Sequence, residues 1–151
     1  MIAMKPEKIL ANAIAFAAEK HKDQVDKGGK PYILHVLKVS YLLKTDDLEL
    51  MAAAVLHDCI EDCGVTTSEL YELGMSARVV ETVVGLTKVN GETHEEKVNR
   101  LTKTKDIIRC KLADLRHNMD PRRLKKITPK TEARMLEYML LTEILSNALA
   151  K

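Results

Sequence analysis

The segment VLHDCIEDCG, residues 55–64, concentrates polar side chains suited to metal binding or acid–base chemistry at the end of an apolar stretch. Residues 48–56 are nearly all apolar and predict a buried helix. The polar groups that follow are His57, Asp58, Glu61 and Asp62. Ionised carboxylates buried without partners are costly, because they lose their water of hydration. A bound divalent cation would neutralise them, so the segment predicts a metal site.

Helical spacing determines which of these groups can act together. His57 and Glu61 are four positions apart, which places them on one face of a helix. Asp58 and Asp62 form a second such pair. His57 and Asp58 point about 100° apart around the helix axis. They can therefore share a metal only if it lies at the edge between their two directions.

Two further candidate ligands lie in apolar helical surroundings elsewhere in the chain. His35 follows Pro31 in the segment PYILHVL, and Asp114 lies in KLADLRHN. Each alone has an ordinary explanation, His35 as a packed core residue and Asp114 as the partner of an arginine. Together with His57 and Asp58 they form a mixed nitrogen and oxygen set. Such a set suits Mn²⁺ or Fe²⁺, with Zn²⁺, Co²⁺ and Ni²⁺ as alternatives.

Three motifs, PYILH, LHDCIED and KLADLRHN, occur in this order along the chain. They resemble the HD superfamily of metal-dependent phosphohydrolases. More narrowly, they resemble the hydrolase domain of RelA/SpoT-type proteins, which remove pyrophosphate from the 3′ position of guanosine tetra- and pentaphosphate. The similarity covers about residues 8–145, and the chain resembles the small hydrolase-only branch. The resemblance implies an all-α fold and a phosphohydrolase that acts on a phosphorylated nucleotide.

The resemblance also implies roles for individual residues. The implied metal ligands are His35, His57, Asp58 and Asp114. The residues implied to orient the attacking water and move its protons are Glu61 and Asp62. The residues predicted to bind substrate are Lys27, Tyr32, Arg116, His117 and Asn118. The basic segment PRRLKK, residues 121–126, offers further phosphate ligands or is a solvated turn.

Two departures from the family pattern affect substrate recognition. The family's substrate loop commonly reads Arg-Lys-Asp-Gly, whereas this chain has Asp-Lys-Gly-Gly at residues 26–29. In the family the arginine stacks on the guanine base, which Asp26 cannot do. We therefore predict a weaker guanine preference and expect Asp26→Arg to strengthen it. The chain also reads ADLRHN where the family usually reads ADRLHN, which is interpreted as a change in the register of Arg116 and His117.

Composition and charge narrow the function classes. The 151 residues are 46% hydrophobic and 30% charged, as in an ordinary globular protein, and we predict one domain over residues 1–151. There is neither an apolar run of the ~18 residues that a membrane span needs nor a signal-peptide pattern, so we expect a cytoplasmic protein without a membrane partner. Residues 103–130 carry ten basic and three acidic side chains. Because this segment lacks interleaved aromatic residues, nucleic-acid binding is not favoured.

Helical periodicity runs through nearly the whole chain, and convincing strand-like alternation does not occur. The predicted fold is an all-α, single-domain helical bundle of HD type with about seven to eight helices. Pro6 begins the first helix. The predicted N-terminal caps of the later helices are Thr66, Ser76, Thr93, Thr104 and Thr128. Thr45 or Asp46 caps the third helix, which continues through the HDCIED motif to Gly64. The methionine-rich last helix, from Pro129, is predicted to be core or a homo-oligomer face.

Two other functions stay open at this point. One is a phosphatase for a different phosphorylated nucleotide, and the other is a non-catalytic helical module that keeps a metal for structure or sensing. Glu61 and Asp62 favour an enzyme, since binding alone does not need them. Cys59 and Cys63 are four apart and allow a zinc site, but the carboxylates between them favour small buried thiols. His21 is predicted to be an ordinary surface or packing residue.

Overall fold

The computed structural model describes residues 4–151, which form nine α-helices, one turn of 3₁₀-helix and no strand beyond a single bridge. The helices are α1 (Pro6–Lys20), α2 (Ile33–Leu42), α3 (Leu48–Leu56), α4 (Cys59–Cys63), α5 (Thr67–Glu72), α6 (Ala77–Leu86), α7 (His94–Leu101), α8 (Lys105–Asn118) and α9 (Pro129–Ala150). The 3₁₀ turn spans Pro121–Arg123. The prediction of an all-α helical bundle is confirmed.

Helices α3 and α8 form the centre of the bundle. α3 packs against α1, α2 and α6, while α8 packs against α2, α6 and α9. Residues 52–56 of α3 are completely buried or nearly so, and three of them are alanines that let neighbouring helices approach closely. Burial of this apolar face is the main driving force for the packing. It also fixes the C-terminal end of α3 deep inside the protein, where the HDCIED motif begins.

Side-chain caps begin most helices, as their sequences predict. The confirmed caps are Thr66, Ser76, Thr93, Thr104 and Thr128, each of which accepts a backbone N–H of the first turn. The predicted cap of α3 was wrong. Asp47, and not Thr45 or Asp46, accepts the N–H of Leu50 at 3.2 Å. The hydroxyl of Thr45 instead accepts the N–H of Asp47, which sets the turn that precedes the helix.

The third predicted helix is divided in two at His57 and Asp58. The carbonyl oxygen of Ala54 accepts bonds from both the backbone nitrogen and Nδ1 of His57, at 3.3 and 2.6 Å. The chain therefore tightens at this point, and α4 starts afresh with a bond from Asp62 N–H to the carbonyl of Asp58. Gly64 ends α4 in the left-handed conformation, as predicted. Seven to eight helices were predicted, and this division brings the number within residues 4–151 to nine.

Helix α9 is the longest and lies at the edge of the bundle. Its apolar side chains Leu136, Met139 and Leu140 are exposed, so the homo-oligomer face stays a prediction. Within residues 4–151, none of the helices combines the length and apolar composition that crossing a membrane requires.

Candidate active site

The four side chains predicted as metal ligands converge where α2, the α3–α4 junction and α8 meet. Nε2 of His35 lies 3.0 Å from Oδ1 of Asp114 and 3.8 Å from Oδ2 of Asp58. Nε2 of His57 lies 2.9 Å from Oδ2 of Asp58 and 3.3 Å from Oδ1 of Asp114. His35, His57 and Asp58 each offer a ligand atom, all within 4.8 Å of one another. An ion placed here would meet donors from three distant parts of the chain.

The hydrogen bonding of His57 fits a cation at this point. Its Nδ1 lies against the carbonyl oxygen of Ala54, so this nitrogen carries the proton and donates it. Nε2 of the neutral ring then has a lone pair, is buried, and forms no hydrogen bond within residues 4–151. It faces two carboxylate oxygens, an arrangement that is repulsive unless a proton or metal ion lies between them. The nitrogen and oxygen donors suit a first-row divalent ion such as Mn²⁺.

Charge governs the protonation of the cluster. Burial disfavours the imidazolium form, but the carboxylates of Asp58 and Asp114 outweigh it and raise the pKa of His57 well above its usual value. Burial alone would raise the pKa of Asp114. Lys111, His57 and His35 outweigh that effect and hold the pKa well below its usual range. Burial would raise the pKa of Asp58 as well, but the charge of His57 outweighs that effect and lowers this pKa. Both carboxylates thus stay anionic, which is the state that binds a metal, and a metal bound here would displace the proton from Nε2 of His57.

Two residues of α8 support Asp114 from either side. Nζ of Lys111 lies 2.9 Å from Oδ2 of Asp114, and Nδ2 of Asn118 donates to Oδ1 at 3.1 Å. Asn118 was predicted as a substrate contact, whereas Lys111 was missed. A signal for Lys111 was present, because it precedes Asp114 by three positions and so shares its helix face.

Tyr32 and His117 support two further predicted metal ligands, Asp58 and His35. The hydroxyl of Tyr32 donates to Oδ2 of Asp58 at 2.6 Å. Burial, together with the charge of Asp58, raises the pKa of Tyr32, so the hydroxyl keeps its proton and stays a donor. The ring of His117 stacks on His35 with 2.8 Å between their Nδ1 atoms. Burial lowers the pKa of His117 to about 4, so its neutral ring can accept a hydrogen bond from Nδ1–H of His35, which leaves the lone pair of His35 on Nε2, the nitrogen that faces Asp114.

Glu61 and Asp62 lie on α4, directly beyond the converging residues, and both are exposed. Oε1 of Glu61 accepts the backbone N–H of Lys88 at 2.8 Å. Oδ2 of Asp62 accepts from the side-chain amide of Gln24 at 3.1 Å. Burial and the nearby Asp58 raise the pKa of Asp62. A raised carboxyl pKa suits proton transfer near neutral pH, although the catalytic roles of both residues stay predictions.

A cavity of about 320 Å³ adjoins the cluster, and we call it the first cavity. Its lining residues are Val25, Asp26, Lys27, Tyr32, Asn118, Arg123, Leu124, Arg134, Met135 and Tyr138. Three of them, Lys27, Tyr32 and Asn118, were predicted as substrate contacts. Arg134 and Tyr138 were missed because α9 reaches the site only through tertiary packing. Cations, aromatic rings and apolar walls together fit a phosphorylated nucleotide.

Asp26 is a structural anchor of the substrate loop. Its Oδ1 accepts the backbone N–H groups of Gly28 and Lys30, each at 2.9 Å, and its Oδ2 lies 3.4 Å from a guanidinium nitrogen of Arg123. Arg123 also donates to Asn118 at 2.7 Å. A Cβ at Gly28 would lie 2.3 Å from the carbonyl oxygen of Arg123, so only glycine fits there. The cavity thus contains a planar cation, supplied by Arg123 and not by position 26.

The reversed pair in ADLRHN is Leu115 and Arg116, so the predicted change of register for His117 was wrong. Leu115 is completely buried. Arg116 is exposed on α8 and makes no hydrogen bond or ion pair within residues 4–151, and it does not line the first cavity. His117 likewise lies against His35 and does not line the cavity. The geometry therefore does not support substrate contacts by Arg116 or His117.

His21 is more closely surrounded than predicted. It is buried, with Nδ1 at 2.7 Å from Oε1 of Gln24 and 3.5 Å from Sγ of Cys63. Cys59 lies 3.8 Å from the other ring nitrogen. The two thiols thus face different nitrogens of His21, and the described residues bring no zinc set together here. Burial raises the pKa of Cys59 to about 12, in keeping with an inert buried thiol.

Comparisons with known proteins connect this geometry to a family. The family model described as "HD domain" matches residues 13–142. A probable guanosine-3′,5′-bis(diphosphate) 3′-pyrophosphohydrolase of Synechocystis sp. is 35% identical over 142 residues, covering 86% of this chain and 18% of that protein. A probable GTP pyrophosphokinase of Mycobacterium leprae is 31% identical over 137 residues, covering 83% and 17%. The chain thus spans less than a fifth of the length of these two curated relatives.

A solved structure shares both the fold and most of its length with this chain. It is described as a metazoan ortholog of SpoT that hydrolyses ppGpp. The two superpose with a TM-score of 0.78 at 26% identity, over 97% of this chain and 88% of the other. With the family match over residues 13–142, this shows that the chain belongs to the HD domain family.

Proposed function

We propose that the chain is a metal-dependent phosphohydrolase that releases pyrophosphate from the 3′ position of guanosine 3′,5′-bis(diphosphate). The observation that carries the proposal is the buried cluster of two histidines and two aspartates beside a cavity lined by cations and aromatic rings. Relatives named as pyrophosphohydrolases of this nucleotide support the choice of substrate. Mn²⁺ is the proposed metal, held by His35, His57, Asp58 and Asp114.

The bound metal would supply a water of lowered pKa, and thus a hydroxide near neutral pH. Attack on the phosphorus joined to the 3′-oxygen breaks that P–O bond and leaves the new oxygen on pyrophosphate. The 3′-oxygen takes a proton and becomes the hydroxyl of the released guanosine diphosphate. Asp62, with its raised pKa, is the proposed proton donor, and Glu61 is proposed to orient the water.

The first cavity holds the nucleoside in this proposal. Lys27 and Arg134 are the cations proposed to meet the 5′-phosphates, and both lie in the cavity wall. The ring of Tyr138 and the guanidinium of Arg123 offer flat surfaces to the base. Asp26 neutralises Arg123 in part, which leaves that guanidinium better suited to a planar base than to a phosphate.

Hydrolysis by Mn²⁺-loaded protein tests the proposal. Guanosine 3′,5′-bis(diphosphate), its adenosine counterpart and guanosine 5′-diphosphate are incubated with the protein, and the products are separated by anion-exchange chromatography. We expect guanosine diphosphate and pyrophosphate from the first substrate, and no turnover by Asp58→Asn. Release of orthophosphate alone would favour a phosphatase, and binding without turnover would favour a non-catalytic module. Either result would refute the proposed reaction.

A further inference from the structure

A second cavity, of about 160 Å³, lies on the Glu61 side of the candidate metal centre. Its lining residues are Glu61, Leu86, Lys88, Glu92, Lys97, Arg100, Leu101 and Lys111. It shares no lining residue with the first cavity. Through Lys111, which bonds Asp114, it nevertheless reaches the same metal-binding cluster. The cluster thus lies between two separate cavities.

One charged pair in the second cavity is already satisfied. Nε of Arg100 lies 2.9 Å from Oε2 of Glu92, and a second guanidinium nitrogen contacts the other carboxylate oxygen. The remaining terminal nitrogen of Arg100 donates to the carbonyl oxygen of Gly85 at 2.8 Å. The opposite charges of Arg100 and Glu92 offset each other, so neither residue is a principal partner for an anion. The pair forms a fixed wall.

The three lysines of the second cavity, unlike Arg100, keep ammonium N–H groups that could bind an anion. Within residues 4–151, the ammonium groups of Lys88 and Lys97 have no ion-pair partner. Lys111 bonds Asp114 at 2.9 Å, and an ammonium has two further N–H groups to offer. Burial, followed by the charge of Lys111, lowers the pKa of Lys97, so the two ammonium groups lie within electrostatic reach. The carboxylate of Glu61 offsets only part of this positive charge.

We propose that the second cavity binds the pyrophosphoryl group of the substrate, with Lys97 and Lys111 as its principal ligands and Lys88 at its rim. The several anionic oxygens of a diphosphate match ammonium groups that repel each other when no anion is present. This inference rests on the proposed function for the identity of the nucleotide. With the nucleoside in the first cavity and the diphosphate in the second, the phosphorus joined to the 3′-oxygen falls beside the metal-binding cluster.

The arrangement accounts for the size of the group that is removed. A single phosphate beside the metal-binding cluster would contact Lys111 on α8, but it is shorter than a diphosphate and would not extend as far towards Lys97 on α7. A diphosphate reaches both helices. Lys97 is therefore the residue whose loss should separate binding of a 3′-diphosphate from binding of a 3′-monophosphate.

Binding of inorganic pyrophosphate to the Mn²⁺-loaded full chain, measured by isothermal titration calorimetry, tests the site directly. We expect Lys97→Gln to weaken binding by roughly 10- to 100-fold, the usual effect of losing a charge-assisted hydrogen bond. Lys105→Gln is the matched control, because it removes the same charge from an exposed position on α8. It should change affinity by no more than a factor of about two. Circular dichroism checks that both variants fold.

Kinetics separate this inference from the proposed function. Lys97→Gln should raise KM for the guanosine 3′-diphosphate substrate by the same factor, while binding of the matching 3′-monophosphate stays unchanged. If pyrophosphate binds through Lys97 and no nucleotide is hydrolysed, the proposed function fails and the anion site stands. If the nucleotide is hydrolysed but pyrophosphate affinity is the same in Lys97→Gln, or if pyrophosphate does not bind at all, the anion site is refuted.

Discussion

Removing the hydroxyl of Tyr32 isolates the contribution of one hydrogen bond to the metal centre. In Tyr32→Phe the ring stays, but Oδ2 of Asp58 loses the donor that lies 2.6 Å away. A hydrogen bond to a charged group contributes about 1.5–3 kcal/mol. At about 1.4 kcal/mol for each factor of ten, the dissociation constant for Mn²⁺ should rise roughly 10- to 100-fold. Loss of a group that orients a metal ligand commonly has an effect of this size.

Metal affinity is the suitable readout, because Tyr32 also lines the first cavity and its loss can change KM. Calorimetric titration with Mn²⁺ measures the dissociation constant without substrate. Tyr41→Phe is the control, since this tyrosine has the same chemistry and is 71% exposed. Equal Mn²⁺ affinity in Tyr32→Phe and the unmutated protein would show that Asp58 is not a ligand or needs no orientation by Tyr32.

Three further predictions concern catalysis, the substrate loop and acid stability. Glu61→Gln and Asp62→Asn should lower kcat by roughly 10²–10⁴-fold with Mn²⁺ affinity nearly unchanged; unchanged kcat in both would remove their assigned roles. Asp26→Arg should raise KM about tenfold for guanosine and adenosine substrates alike, because the loop loses its anchor; a lower KM for guanosine alone would contradict this. Arg78 forms ion pairs with Asp47 at 2.6 Å and with Asp106 at 2.8 Å; Arg78→Gln should destabilise the protein by about 1 kcal/mol in urea unfolding at pH 7 after solvent screening. Arg78 holds the pKa of Asp47 below its usual value. The difference in unfolding free energy between the two proteins should therefore be complete above pH ~4 and fade as the pH drops through the lowered pKa. A constant difference down to pH ~2 would refute the ion-pair explanation.

Local chemistry explains which parts of the fold could be predicted from the sequence. A threonine cap such as Thr104 acts on N–H groups three residues away, so it is visible in the sequence and was confirmed. The division of α3 from α4 was missed because it depends on the side chain of His57 bonding the carbonyl of Ala54. Apolar periodicity contains no information about that bond.

The same distinction between local chemistry and tertiary contacts explains which site residues could be predicted. His35 and Asp114 could be predicted because polar groups in apolar helices need a partner, and the structure brings them to within 3.0 Å of each other. Arg123 could not be placed, since its position depends on a turn packing against a loop almost a hundred residues earlier. The sequence alone predicts that arginine at position 26 improves guanine recognition. In the fold that arginine would face Arg123 and remove the anchor that Asp26 provides.

The close approach of Gly28 to Arg123 also constrains how the substrate loop can change. With 2.3 Å between a Cβ at position 28 and a backbone oxygen, no choice of side chain at position 123 relieves the collision. A library that randomises position 28 by itself should therefore return glycine. A substrate loop with a side chain at position 28 requires that the 3₁₀ turn, Pro121–Arg123, is changed at the same time. The two segments would thus have to be exchanged between homologous proteins as one unit, although they lie far apart in the chain.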